Sequence, residues 1–185
     1  MRSEGTCDFE MVWRSVAARF RNDSGVVGYD LFNEPQPFPL PGHLFEERWM
    51  WPLYARIIDA IGSVDSNHLF MLEGILLWDF PTTMDHLLAP NVVWARHVYT
   101  GALVPPEYPR FPNRLSQSID DDAWAARQVP AAMSVGELGI DLSKDFAIAW
   151  TDRALDTLDD LQDGWVWWLG VTFPRGASAL STAAI

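Results

Sequence analysis

Cysteine occurs once in the 185 residues, at Cys7, so no internal disulfide can form and no zinc site can be built from paired thiolates. Basic residues are also scarce, with 13 Lys and Arg against 25 Asp and Glu and a formal charge of -12. Phosphate recognition draws most of its affinity from clustered Lys and Arg, so nucleic acid and anionic membranes are disfavoured as partners. The four His are scattered without ligand spacing, which leaves a metal-dependent hydrolase unsupported and no metal or cofactor expected. No apolar run approaches the roughly 18 residues of a membrane span. The first 20 residues hold no uninterrupted apolar stretch of the kind a signal peptide needs, and no compartment follows from the sequence. No Gly-x-Gly-x-x-Gly opens a helix and no Gly-Lys-Ser/Thr loop is present, so a nucleotide-binding sheet has no support.

What is abundant is apolar and aromatic. Hydrophobic residues make up 49% and charged residues 21%, too apolar a chain to remain disordered, and the length suits one domain with a core. Ten Trp are present. Indole faces stack on the C–H patches of sugar rings, but they fill cores equally well, and composition alone does not choose between the two.

Along the chain a β-α grammar repeats. Phe9, Val12, Trp13, Val16, Ala17 and Phe20 fall at helical spacing, and the polar turn Asn22–Gly25 stops that helix. Val26–Phe32 reads as a buried strand ending at Asn33-Glu34-Pro35. Helices are then expected over Leu44–Val64, Thr82–Leu88, Asp120–Gln128 and Asp145–Leu161. They alternate with strands over His68–Leu72, Val92–Val98, Ala132–Val135 and Trp165–Leu169. Parallel strands need crossover connections, so this alternation indicates a parallel sheet and, without nucleotide motifs, a β/α barrel.

Titratable and aromatic residues recur at the C-terminal ends of these strands: Asn33 and Glu34, Glu73, His97 and Tyr99, Glu137, then Trp167 and Trp168. That rim is where β/α barrels place their active sites. Glycosidic hydrolysis needs one carboxylic acid to protonate the leaving oxygen and one carboxylate to attack or to activate water. Glu34 and Glu137, three strands apart around a closed barrel, would face each other at the roughly 5 Å that suits a retaining mechanism. His97 and Tyr99, two residues apart on a strand, share a face, whereas Trp167 and Trp168 point to opposite faces. Glu73 reads as a substrate contact or a structural group. Asp79 reads as a solvated loop residue, and Asp120–Asp122 as a helix N-terminus stabilised by its dipole. The proline-rich loop Gly101–Leu115, carrying Tyr108 and Phe111, would line substrate subsites or form rigid surface.

The segments Gly28-Tyr29-Asp30-Leu31-Phe32-Asn33-Glu34-Pro35 and Val135-Gly136-Glu137-Leu138-Gly139 resemble the acid/base and nucleophile strands of glycoside hydrolase family 5. The first, continued by Gln36-Pro37, is particularly similar to the endoglycoceramidase-like branch, and cellulase-like members share most of it. The resemblance implies a (β/α)8 barrel and a retaining glycosidase acting on a carbohydrate or glycolipid, and it is compatible with secretion. It assigns Glu34 as acid/base and Glu137 as nucleophile. It further assigns Asn33 to the sugar 2-hydroxyl, His97 and Tyr99 to the site beside the nucleophile, and Trp168 to an aromatic platform. A complete barrel takes about 250 residues. Here five strands are counted, and the family's first three strands have no counterpart. Residues 1–170 are therefore expected to form a partial barrel of about strands 4 to 8, with 171–185 as an irregular tail and the missing strands upstream. The alternative is an inactive barrel fragment or carbohydrate-binding remnant.

Overall fold

The computed structural model describes residues 4–75, 82–104 and 106–168. These fall into two compact units. One comprises the chain up to Trp94 with Val129–Ala131, and the other comprises Ala95–Gln128 with the residues from Ala132 onward. Strands and helices alternate: α1 (Glu4–Phe20), β1 (Gly28–Asp30), α2 (Gly42–Phe45), α3 (Trp51–Gly62), β2 (Leu69–Leu72), β3 (Val92–Val98), α4 (Asn113–Gln128), β4 (Ala132–Leu138), α5 (Ala147–Leu161) and β5 (Gly164–Trp167). The sheet order β1-β2-β3-β4-β5 follows the chain. A doubly wound sheet reverses its order at a switch point, and these strands do not, so they match five successive strands of a (β/α)8 barrel.

In the first unit β1 and β2 pair in parallel with Gly28 opposite Leu69 and Asp30 opposite Met71, and β2 pairs with β3 through Phe70–Val92 and Leu72–Trp94. Gly28 is required by this pairing, because a Cβ there would stand 2.7 Å from the Leu69 carbonyl oxygen. Helix α3 buries Tyr54, Ile57, Ile58 and Ile61, an i, i+3, i+4, i+7 stripe. Helix α1 buries Ala17 and turns Trp13 edge-on to Tyr29 and Phe9 edge-on to Phe32. Two residues of the expected α1 face, Val12 and Phe20, are exposed. Val12 lies at the margin of the apolar stripe, and Phe20 is the helix's final residue, beside an exposed turn.

The helix expected over Leu44–Val64 runs from Gly42 to Gly62, with a π-helical turn over Glu46–Met50. Pro52 has no N–H to give the Arg48 carbonyl and its ring crowds that oxygen, and the widened turn just before it accommodates both effects. The helix expected over Thr82–Leu88 does not form. The backbone N–H of Met84 donates instead to the Thr82 hydroxyl, and the N–H and hydroxyl of Thr83 donate to the buried Glu46 carboxylate. Side-chain partners thus replace the i→i−4 ladder. Asp79 lies outside the described residues.

The second unit packs Leu115 and Ile119 of α4, Val135 and Leu138 of β4, and Trp150, Ala154 and Leu158 of α5 into one apolar cluster. Helix α4 starts at Asn113, seven residues ahead of the expected Asp120, so the three aspartates stand in mid-helix. Asp122 is buried rather than solvated, 3.1 Å from Arg96 Nε of β3. Tyr108 of the Gly101–Leu115 loop is also buried and stacks on Phe146, so that side chain belongs to the core and not to a substrate subsite.

Candidate active site

Beyond β1 the ladder to β2 continues for one more bond, Leu31 N–H to the Met71 carbonyl at 3.2 Å, and then the chain turns. Glu34 sits at the turn with φ +48°. A left-handed backbone costs a non-glycine residue about 1–3 kcal/mol. Pro35 follows, and a proline further restricts the residue before it. The surroundings hold this conformation in place. The Glu34 N–H donates to Glu73 Oε2 at 2.8 Å, and Glu73, immediately after β2, is only 2% exposed. The Tyr54 hydroxyl donates to the Glu73 carbonyl at 2.9 Å and lies 3.4 Å from the Phe32 carbonyl, and the Trp13 indole donates to the Leu31 carbonyl at 3.2 Å. Of the two roles expected for Glu73, the geometry favours support. Asn33 is exposed and Glu34 partly buried at this strand end.

Strand β4 is longer than its sequence suggests, reaching Leu138, so Glu137 lies inside it rather than beyond its end. Between Val135 and Leu138 the register against β5 shifts: Val135 faces Trp165 and Leu138 faces Trp167, leaving one extra residue on β4. This bulge at Gly136-Glu137 breaks the alternation, buries both Val135 and Leu138, and re-aims the Glu137 side chain. Two side chains from β3 and its end meet that carboxylate. The Tyr99 hydroxyl donates to Glu137 Oε2 at 2.7 Å, and His97 Nδ1 lies 3.3 Å from the same oxygen. The two rings stand at 89° to each other with centroids 6.4 Å apart. Gly136 makes room for this, since a Cβ there would stand 3.3 Å from His97 Cδ2. His97 and Tyr99 therefore share a face, as their spacing implies, and the Glu137 carboxylate meets them there.

The adjacent tryptophans divide by face, as expected. Trp167 packs onto the apolar cluster and meets Trp150 edge-on, while Trp168 is 49% exposed and donates its backbone N–H to the Leu138 carbonyl at 2.7 Å. Leu169, assigned to the same strand, lies outside the described residues.

A second titratable cluster sits at the other end of the strands, just before β2. The Tyr29 hydroxyl and His68 Nδ1 both contact Asp65 Oδ2 at 2.6 Å, the Asn67 N–H donates to Asp65 Oδ1 at 2.9 Å, and His68 Nε2 lies 3.2 Å from the Asp23 carbonyl. Burial would raise the Asp65 carboxyl, but the hydrogen bonds from Tyr29, Asn67 and His68 outweigh it and hold Asp65 below its ordinary value. Burial would likewise lower His68, yet the Asp23 carbonyl and the Asp65 carboxylate hold it above its ordinary value. Burial and then the Asp65 carboxylate push the Tyr29 phenol well up. Sequence reading passed over this network, because its members are separated in the chain and no motif marks them.

The family model described as Cellulase (glycosyl hydrolase family 5) matches residues 3–171. An endoglucanase of Paenibacillus polymyxa is 32% identical over 161 residues, covering 71% of this chain and 39% of that protein. An endoglycoceramidase of Cyanea nozakii is 34% identical over 76 residues, covering 37% of this chain and 15% of that one. Among solved structures, an endogalactoceramidase superposes with TM-score 0.81 at 28% identity, over 90% of this chain and 38% of its own. Endo-glycoceramidase II from Rhodococcus sp., in a cellobiose-like imidazole complex, gives TM-score 0.80 at 24% identity, over 88% and 40%. The chain thus spans two fifths or less of these relatives' lengths.

Proposed function

Because the chain belongs to the cellulase family, glycosyl hydrolase family 5, we propose that Glu34 and Glu137 are the acid/base and nucleophile of a retaining glycosidase. Its substrate is the β-glycosidic bond of a glucan, oligosaccharide or glycolipid. The observation that carries this reading is the bulge-mounted Glu137 carboxylate, gripped at one oxygen by Tyr99 and His97. A carboxylate that must attack a carbon along one direction gains from having its rotation fixed. With Oε2 engaged, Oε1 is assigned to the attack.

Glu34 protonates the leaving oxygen as Glu137 bonds to the anomeric carbon, giving a glycosyl-enzyme. Glu34 then takes a proton from water as that water attacks the same carbon and releases Glu137. Asn33, exposed beside Glu34, hydrogen-bonds the sugar 2-hydroxyl, and Trp168, with its exposed indole, offers the flat face on which a sugar ring stacks.

The test uses the full-length natural polypeptide that contains these residues. Glu137→Gln is expected to reduce aryl β-glycoside hydrolysis to background, and a 2-deoxy-2-fluoro glycoside to label the wild-type peptide bearing Glu137. Normal turnover by the variant, or a label elsewhere, would overturn the assignment.

A further inference from the structure

From the contact between Glu73 and the Glu34 backbone, we infer that Glu73 is a positioning residue for the acid/base: its buried carboxylate fixes the left-handed turn from which the Glu34 side chain projects. This rests on the glycosidase reading above. Glu73 accepts the Glu34 N–H at 2.8 Å while its own carbonyl is held by the Tyr54 hydroxyl at 2.9 Å. The backbone of Glu34 is thereby tied, through one side chain, to the end of β2 and to helix α3.

Glu34 has φ +48°, which an L-residue keeps only when its surroundings over-determine it. A change of a few tens of degrees in φ at this residue would swing its Cα–Cβ bond, and with it the carboxyl group, by an ångström or more. Proton transfer to a leaving oxygen demands hydrogen-bond geometry, so this displacement acts on acid catalysis first. Glu73 does not touch the reacting atoms in this scheme. At 2% exposure Glu73 is buried, and its Oε2 accepts a backbone N–H. The two carboxylates are thus held differently, Glu137 by its side-chain oxygen and Glu34 by its main chain.

Leaving-group dependence separates positioning from mere structural support. The dinitrophenolate of a dinitrophenyl β-glycoside leaves without protonation, whereas the leaving oxygen of a phenyl or alkyl β-glycoside needs the acid. Both are assayed on the full-length polypeptide with Glu73→Leu, which removes the acceptor, and Glu73→Gln, which keeps a neutral one. In kcat/KM, which reports formation of the glycosyl-enzyme and not its hydrolysis, Glu73→Leu is expected to lose about 10- to 100-fold on the unactivated glycoside, part of what general acid catalysis supplies, and little on the dinitrophenyl substrate. Glu73→Gln is expected to show a smaller loss of the same selective kind. Should circular dichroism show Glu73→Leu unfolded, the Glu73→Gln pattern alone decides. Equal losses on the two substrates, or none, would overturn this inference while leaving the glycosidase reading intact. Wild-type inactivity on both substrates would overturn that reading and this inference with it.

Discussion

Replacing Tyr29 by Phe removes one hydroxyl and little else. The ring's contacts with Trp13, at a centroid distance of 6.0 Å, and with His68, at 5.4 Å, are preserved, so the variant leaves no cavity larger than an oxygen. What it loses is a 2.6 Å bond to the buried carboxylate of Asp65. Hydrogen bonds to charged groups contribute about 1.5–3 kcal/mol, and this one is buried at both ends. Asp65 keeps the Asn67 N–H and His68, so the carboxylate is weakened rather than stranded. With a urea m-value of about 2 kcal/mol/M the unfolding midpoint at pH 5.5 should fall by about 1 M.

The sign of the pH dependence follows from the two shifts. Asp65 is lowered from 3.8, so its contribution is complete above 3.8 and is lost as pH falls through its folded value. His68 is raised from 6.5, so its contribution is complete below 6.5 and is lost as pH rises through its folded value. Wild-type stability from this network is therefore greatest between those two pH values. In Tyr29→Phe the acid limb moves upward, because Asp65 has lost one of the donors that lowered it. Urea unfolding at several pH values, with Asp65→Asn and the double variant completing a cycle, measures the coupling directly. A loss of under about 0.5 kcal/mol at pH 5.5, against the 1.5–3 kcal/mol expected of a charged hydrogen bond, or an acid limb that does not move, would show that the Tyr29 hydroxyl does not stabilise the Asp65 carboxylate.

Two further outcomes follow from the geometry around Glu137. Tyr99→Phe removes the 2.7 Å donor to Oε2, and kcat/KM on an unactivated β-glycoside should fall about 10- to 150-fold, the equivalent of one hydrogen bond to a charged group, with far-UV circular dichroism unchanged. Gly136→Ala pushes a methyl to 3.3 Å from His97 Cδ2, and thermal unfolding should show about 1–3 kcal/mol of destabilisation from this overpacking, with activity falling as the imidazole moves.

Much of the site could be read in the sequence because its residues obey local periodicity. His97 and Tyr99 share a strand face by alternation alone, and Trp167 and Trp168 divide by the same rule. The expected strand Val92–Val98 and the α5 C-terminus at Leu161 match the structure, because apolar runs and helical stripes mark them without tertiary help. Boundaries failed where side chains compete with backbone. Thr82 and Thr83 gave up their helix to Glu46, more than thirty residues away, and no local window contains that partner. Asp122 read as solvated because its cation, Arg96, lies on a different element.

Strand order, helical faces and the identity of the strand-end residues are properties of the sequence, set by the spacing of apolar side chains and the chemistry of a few polar ones. The bulge that re-aims Glu137, the left-handed turn of Glu34 and the Glu73 carboxylate that pins it were decided only by the tertiary structure. Each depends on a neighbour distant in the chain, a register against β5 or an acceptor after β2, and such partners meet only when the sheet assembles.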